Sequence, residues 1–376
     1  MVRPWDLGTW VLYKEGFKFM SRAALLPFPG DPFLLNYWLK FFDEVWGEEV
    51  DKLYIGFNSP IEDCALDYIR QLCADRSKIV LHVVRQQADH GPTINALLDL
   101  VTEEYVMLVE DDGFIFRKGI VDKAFSYLES REFEIVGSKR GSCSFEILKK
   151  AQEVWGLDYE GVGDQGPNFW PNFFFSSKEL LLKTDRHFGA KAWNKGEHIA
   201  SLGLNVQEEI ANGDTFVNTS LQLRSMIPEA KIKYLPQYHG HPEDLRHHQE
   251  SVYLFDGNAP WTHVGSLSSG INGLLKDGND RELAQRKTRE PKDKTELPVQ
   301  YCQSEMEHKE FERRVQWWKS AIEYFTKTTD VESISSEFRE FSNLYAQAVD
   351  QLISQFGLSR KSIERRQLVY KELMQI

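Results

Sequence analysis

The sequence predicts an α/β fold, a mostly parallel sheet flanked by helices, followed by a helical region at the C-terminus. Three features predict it. Short apolar runs alternate with stretches of helical periodicity through roughly the first 110 residues, the pattern of strands joined by crossover helices. A hydrophobic content of 41%, with ten Trp and 24 Phe, is enough to cover both faces of such a sheet. Beyond residue 264 the composition turns to Gly, Ser, Asp, Lys and Arg, and from residue 301 apolar residues recur at helical spacing.

The elements follow in chain order. Ala23 to Phe28 is an apolar run stopped by Pro29-Gly30, so it predicts a first strand; Asp31-Pro32 then supplies a cap and a first-turn proline for a helix. That helix carries Leu34, Leu35, Trp38, Leu39, Phe42 and Val45 on one stripe. Lys52 to Phe57 predicts the second strand, and Ser59 followed by Glu62 at capping-box spacing opens a helix to about Ala74. Lys78 to Val84 is apolar enough to predict a parallel strand buried on both faces. Pro92 to Leu100 predicts a helix and Tyr105 to Val109 a fourth strand. Pro171 to Phe175, Val206 to Met226 and Lys231 to Leu235 continue as strand, helix and strand. The chain therefore divides into an N-terminal extension (1–20), an α/β domain (21–264), a linker or loop (265–300) and a C-terminal helical region (301–376) that offers a surface for oligomerisation.

Charge and cysteine usage exclude several classes. A net charge of −12 argues against a surface built to coat nucleic acid, which needs clustered Lys and Arg. No uncharged apolar stretch approaches the ~18 residues of a membrane-spanning helix, so the expectation is a soluble, cytoplasmic protein. The four cysteines, Cys64, Cys73, Cys143 and Cys302, form no Cys-x-x-Cys pair and predict reduced, structural thiols.

The strongest chemical signal is the run Tyr105 to Val109 ending in Glu110, Asp111 and Asp112. Three adjacent carboxylates repel one another, and a cation relieves that repulsion. Hard ions such as Mg2+ or Mn2+ take oxygen ligands and keep a phosphate group as a further one. A solvated acidic turn is the commoner explanation of such a triplet in isolation. A second cluster, Tyr238-His239-Gly240-His241, followed by His247-His248, is dense enough in imidazole for metal or phosphate contacts, or is a polar loop open to water.

The order of a Gly-containing turn (His90-Gly91-Pro92), a helix carrying Asn95, an apolar strand and then an acidic triplet resembles the family 2 glycosyltransferases and the wider GT-A fold, over about residues 21–145. The resemblance implies an enzyme that uses a nucleotide-diphosphate sugar, a UDP- or GDP-sugar, with Mn2+ or Mg2+. It implies Asp112 as metal ligand, Asp111 in the middle of the motif, and Glu110 where an Asp is usual, near the nucleotide's ribose or the metal. His239, then His241, are the late histidines such a fold uses to complete a metal site. Pro27, Phe28, Asn58, His90, Gly91 and Asn95 fall where the family binds the nucleotide sugar, although Asn58 suits a helix cap and Asn95 a helix surface equally well. An inverting member needs a carboxylate base; Asp214, Glu208 and Glu209 are the candidates, with a helix face or a cap as the plainer explanation of each. Trp170, beside Pro171 in a run of aromatics, is a candidate platform for stacking an acceptor sugar or base.

Transfer of a hexose to an acceptor hydroxyl is thus the expected activity, the acceptor being a glycan or a modified nucleobase in phage-type DNA. Two other classes remain open: a sugar nucleotidyltransferase, against which the absence of a Gly-rich basic loop after Phe28 weighs, and a scaffold carrying a degenerate transferase domain.

Overall fold

A computed structural model describes residues 20–28, 35, 38–39, 41–57, 63–83, 90–111, 113–115, 118–140, 144–156, 168–213, 215–235, 251–255 and 258–263. The expected extension before Met20, the linker at 265–300 and the helices at 301–376 lie outside the described residues.

The first half alternates as the sequence predicts. Strand β1 (Arg22–Phe28) leads through a helical segment that includes Leu35, Trp38, Leu39 and Phe41 to β2 (Lys52–Phe57), α1 (Asp63–Ala74), β3 (Ile79–Val83), α2 (His90–Leu100) and β4 (Tyr105–Leu108). Then come β5 (Gly113–Ile115), α3 (Ile120–Glu129), β6 (Ile135–Arg140), α4 (Phe145–Trp155), β7 (Asn168–Phe169), β8 (Phe174–Ser177) and α5 (Lys178–Leu182). The short strands β9 (Lys191–Trp193), β10 (His198–Ile199), β11 (Leu204–Asn205) and β12 (Ile210–Gly213) precede α6 (Val217–Met226), β13 (Ile232–Leu235), β14 (Ser251–Phe255) and β15 (Asn258–His263).

The main sheet runs in the order β13-β6-β8-β4-β1-β2-β3, with β7 paired to β6. Four junctions are parallel; among the described strands β8 runs against its neighbours β4 and β6, and the short β7 runs against β6. The sheet is therefore mostly parallel and flanked by helices, the layout expected of the GT-A fold. Every residue of β1 after Arg22 is buried, as a central strand covered on both faces must be. Ile94, Leu97 and Leu98 of α2 cover Ala23 and Leu25 of β1 and Tyr54 of β2. Close approach is possible because β2 carries Gly56 there; a Cβ at that position would lie 2.4 Å from the Thr93 Cγ2 atom. On the opposite face, Phe125 of α3 packs edge-on to Phe175 of β8, with ring centroids 5.0 Å apart. At the amino end of β1 the guanidinium of Arg22 reaches both oxygens of Glu129 at 2.6 and 2.8 Å and Asp122 at 2.6 Å, pinning α3 to the sheet.

Three elements differ from expectation. Strand β3 ends the described sheet, and all five of its residues are half-buried, so neither of its faces is covered as completely as those of β1. The helix expected over Val206–Met226 exists only from Val217; Ile210–Gly213 instead forms β12, antiparallel to β9, and Phe216 in the left-handed region (φ +70°) starts the helix. Asn212 and Gly213 are poor helix formers, and pairing with β9, irregular between Ile210 and Gly213, prevails over helical spacing there. The strand expected over Pro171–Phe175 begins only at Phe174, because Phe173 (φ +56°) turns the chain immediately before it.

Candidate active site

In a sheet of this kind the chain order 3-2-1-4 reverses between β1 and β4, and ligands bind in the crevice beyond the carboxyl ends of the two strands. Pro27 and Phe28 finish β1 at that crevice, Phe28 stacking on Phe57 of β2 with centroids 5.9 Å apart. At the end of β4, Val109 donates its N–H to the Leu25 carbonyl, and the chain then enters the acidic segment.

That segment is held from several directions. Gly113 donates its N–H to the Glu110 carbonyl at 3.1 Å, closing a turn over residues 110–113. The Glu110 N–H is donated to Asn172 Oδ1 at 3.2 Å, and Trp170 donates its indole N–H to Glu110 Oε2 at 2.7 Å. Trp38 donates its indole N–H to the Gly113 carbonyl at 3.0 Å. His90, the first residue of α2, places Nε2 3.7 Å from Glu110 Oε1. Short N–H bonds to a carboxylate of this kind contribute roughly 1.5–3 kcal/mol each. Asp111 is buried, at 7% exposure.

Asn172 is 1% exposed and sits against Gly113 so closely that a Cβ there would lie 2.4 Å from Oδ1 and 2.5 Å from Nδ2. Gly113 is thus required by the amide beside it. The next residue, Phe173, holds a left-handed backbone that disfavours a bulky side chain by of order 1–3 kcal/mol. Its complete burial, edge-on to Phe175 at 4.8 Å, offsets that strain.

The structure therefore brings His90, Glu110 and Trp170 into one cluster. It also changes the reading of three predicted residues. Trp170 is 6% exposed, and its indole N–H is given to Glu110. Gly91 is buried against protein: a Cβ would fall 2.1 Å from the Gly189 nitrogen, and that contact explains the missing side chain. Asn95 is engaged by Arg186, donating to its carbonyl at 2.7 Å and accepting from its Nε at 2.9 Å, while Arg186 also binds Asp99 at 2.7 Å. Glu208 and Glu209 are exposed in the bend before β12 rather than on a helix face. Asn58, Asp112, Asp214, His239 and His241 lie outside the described residues, and among the described ones no group of three His, Cys, Asp or Glu forms a metal-holding cluster.

Two features were not anticipated from sequence. Asn172 was hidden in an aromatic run, where a lone amide beside Pro171 was the available signal. Strand β15 pairs antiparallel with β5, which puts His263 opposite Gly113 in register and so beside the acidic turn. Elsewhere, Asp185 forms a separate polar knot. Burial pushes its carboxyl up, but the His187 N–H, the amides of Asn218 and Gln222 and the nearby Lys191 outweigh that and hold it below the usual carboxylate value.

No protein-family model matches the sequence, and no curated protein matches it. Among solved structures the chain is similar to S. aureus TarS, with 14% identity and a TM-score of 0.33 over 45% of this chain and 30% of that one. It is similar to GalNAc-T7, solved with UDP, GalNAc and Mn2+, with 7% identity and a TM-score of 0.35 over 45% of this chain and 38% of that one. It is also similar to the mannosyltransferase PcManGT from Pyrobaculum calidifontis, solved with GDP-Man and Mn2+; identity is 11% and the TM-score 0.40, over 94% of this chain and 85% of that one. The matches to TarS and GalNAc-T7 thus span well under half of those two chains. Among the described residues no helix is long and apolar enough to cross a membrane.

Proposed function

We propose that this chain is a metal-dependent glycosyltransferase that moves a hexose from a nucleotide-diphosphate sugar, a UDP- or GDP-sugar, to an acceptor hydroxyl. One observation carries the reading: a fastened turn of consecutive carboxylates stands at the carboxyl end of a buried parallel strand, at the point where strand order reverses.

The donor set suits a hard divalent cation, since the turn supplies carboxylate oxygens and the later segment imidazoles. Asp112 is the proposed principal ligand, with His239 or His241 completing the site. A bound Mn2+ or Mg2+ would offset the negative charge that builds on the diphosphate as it leaves. Pro27 and Phe28 are buried where β1 ends, so the nucleotide would meet their backbone rather than their side chains, with Asn58 and His90 supplying polar contacts. Asp214, between β12 and α6, is the proposed base: it takes the proton of the acceptor hydroxyl as that oxygen attacks the anomeric carbon and the bond to the diphosphate breaks, inverting the centre. Glu208 and Glu209 are the reserve candidates. The acceptor class remains a glycan or a modified nucleobase.

A thermal-shift screen of UDP, GDP, CDP and TDP sugars, with and without Mn2+, tests the reading. A cognate donor at a hundred times its Kd stabilises by about 2.7 kcal/mol. For a domain of this size that corresponds to a rise of roughly 5–10 °C, dependent on Mn2+. Stabilisation by nucleoside triphosphates alone would point instead to nucleotidyl transfer, and no response to either would refute catalysis on nucleotide sugars.

A further inference from the structure

We propose that Trp170 and Asn172 are positioning residues that fasten the acidic turn through Glu110, so that the turn's remaining carboxylates are presented without reorganisation. The proposal rests on the metal-dependent reading above. Four independent features converge on one short segment. Trp170 donates its indole N–H to the Glu110 side chain at 2.7 Å, and Asn172 accepts the Glu110 N–H at 3.2 Å, so side chain and backbone of one residue are gripped from one neighbouring segment. The chain opposite has no Cβ where the Asn172 amide lies, because residue 113 is Gly. Asn172 Nδ2 is buried with no hydrogen-bond partner among the described residues, an expense that a residue serving only to fill space would not carry. Phe173, directly after it, keeps a strained left-handed backbone between Asn172 and the start of β8 at Phe174.

The chemistry follows from electrostatics. Three consecutive carboxylates repel one another, and a turn left free would splay them into water. Hydrogen bonds to Glu110 take its charge up with protein donors and set the direction in which the chain leaves it. A cation arriving at the turn then meets ligands already in place, and the energy of binding is not spent on ordering them.

The test uses the full-length protein labelled with 15N in its ten tryptophan indoles. The Trp170 resonance is the one lost in Trp170→Phe, a change that keeps a ring and removes the N–H. Its indole proton should move upfield in Glu110→Ala and hold its position when Mg2+ with UDP or GDP is added. An indole unmoved by Glu110→Ala, or one released when the metal and nucleotide bind, overturns the fastening. In parallel, Trp170→Phe should raise the KM for the metal–donor complex about tenfold, leave the acceptor KM unchanged and add less than about twofold in a Glu110→Ala background. A rise in acceptor KM alone, or fully additive effects, would return Trp170 to the role of a stacking platform and overturn the proposal. If the wild type binds no metal–nucleotide complex, the functional reading fails, while the indole shift in Glu110→Ala still decides whether the fastening exists. Asn172→Asp retains the acceptor for the Glu110 N–H and should leave the Trp170 indole proton at its wild-type position; a displaced indole there would overturn the part given to Asn172.

Discussion

Gly91→Ala should destabilise the protein although alanine is the better helix former. Gly91 lies in the first turn of α2, where Ala gains about 1 kcal/mol in intrinsic propensity over Gly. Its added Cβ would lie 2.1 Å from the Gly189 nitrogen, 2.6 Å from the Gly189 Cα and 2.9 Å from the Phe188 carbonyl carbon. All three are backbone atoms, so no side chain can rotate away, and either α2 or the 188–189 segment must move by more than an ångström. The segment is poorly free to move: Phe188 is fully buried and stacked on Phe216 at 5.8 Å, and Arg186 is tied to Asn95 and Asp99. Overpacking of this kind costs about 1–3 kcal/mol and sometimes more. Because all three contacts are backbone atoms the cost falls toward the upper end, about 2–3 kcal/mol; with the propensity gain of about 1 kcal/mol set against it, the net loss is roughly 1–2 kcal/mol, a fall in Tm of about 2–8 °C. The reciprocal change is the control. A Cβ on Gly189 would meet only Gly91 Cα at 3.8 Å and its nitrogen at 3.9 Å, which is ordinary contact, so Gly189→Ala should shift Tm by less than about 2 °C. Thermal or urea unfolding of the two variants decides the matter. Equal effects, or a neutral Gly91→Ala, would refute the assignment of Gly91 to packing and return it to ligand approach.

Three further outcomes are expected. Asp185 is held below its ordinary value of 3.8, so its stabilisation is present above that pH and is lost as pH falls through the lower folded value. Asp185→Asn should therefore lower unfolding free energy by about 1 kcal/mol at pH 7, the side chain being partly exposed, and the gap should close as the carboxylate protonates in acid; a gap that widens in acid contradicts the sign. Burial pushes the Cys73 thiol up to about 11, so iodoacetamide at about pH 8 should alkylate it only after denaturation, as read by peptide mass spectrometry; rapid labelling of the folded protein would show that the site opens. Arg22→Met should cost about 1–3 kcal/mol in urea unfolding, because it leaves Glu129 without its bidentate partner at the sheet–α3 junction, and a neutral result would mean that water replaces the pair without loss.

The sequence made the sheet's first half legible because each strand there is a short apolar run bounded by turn residues. Ala23 to Phe28, Lys52 to Phe57 and Tyr105 to Val109 fall within a residue of β1, β2 and β4. The reading weakened where one segment satisfied two periods. Val206 to Met226 has apolar residues at helical spacing, yet its first part pairs as β12, because a strand partner 17 or more residues earlier cannot be read from local pattern. Position within the sheet was equally hidden: the Lys78 to Val84 run is as apolar as a central strand, and only the absence of a described neighbour beyond β3 makes it an edge. At the candidate site, the acidic triplet announced itself by charge. Its supports did not, since a Trp that donates one hydrogen bond and an Asn that accepts one look, in sequence, like any members of an aromatic run. Gly91 and Gly113 were visible as glycines, but the atoms that forbid their side chains come from residues 189 and 172.

If the turn at 110–113 takes a divalent cation together with a nucleoside diphosphate, as proposed, calorimetric titration of UDP and GDP into wild type and Asp112→Ala, each with and without Mn2+, will show it. Wild type should bind one of the two nucleotides only with Mn2+, and Asp112→Ala should weaken that binding by about a hundredfold with its Tm unchanged or raised, since one of three repelling charges is gone. Metal-independent binding, or equal affinity in Asp112→Ala, would contradict it.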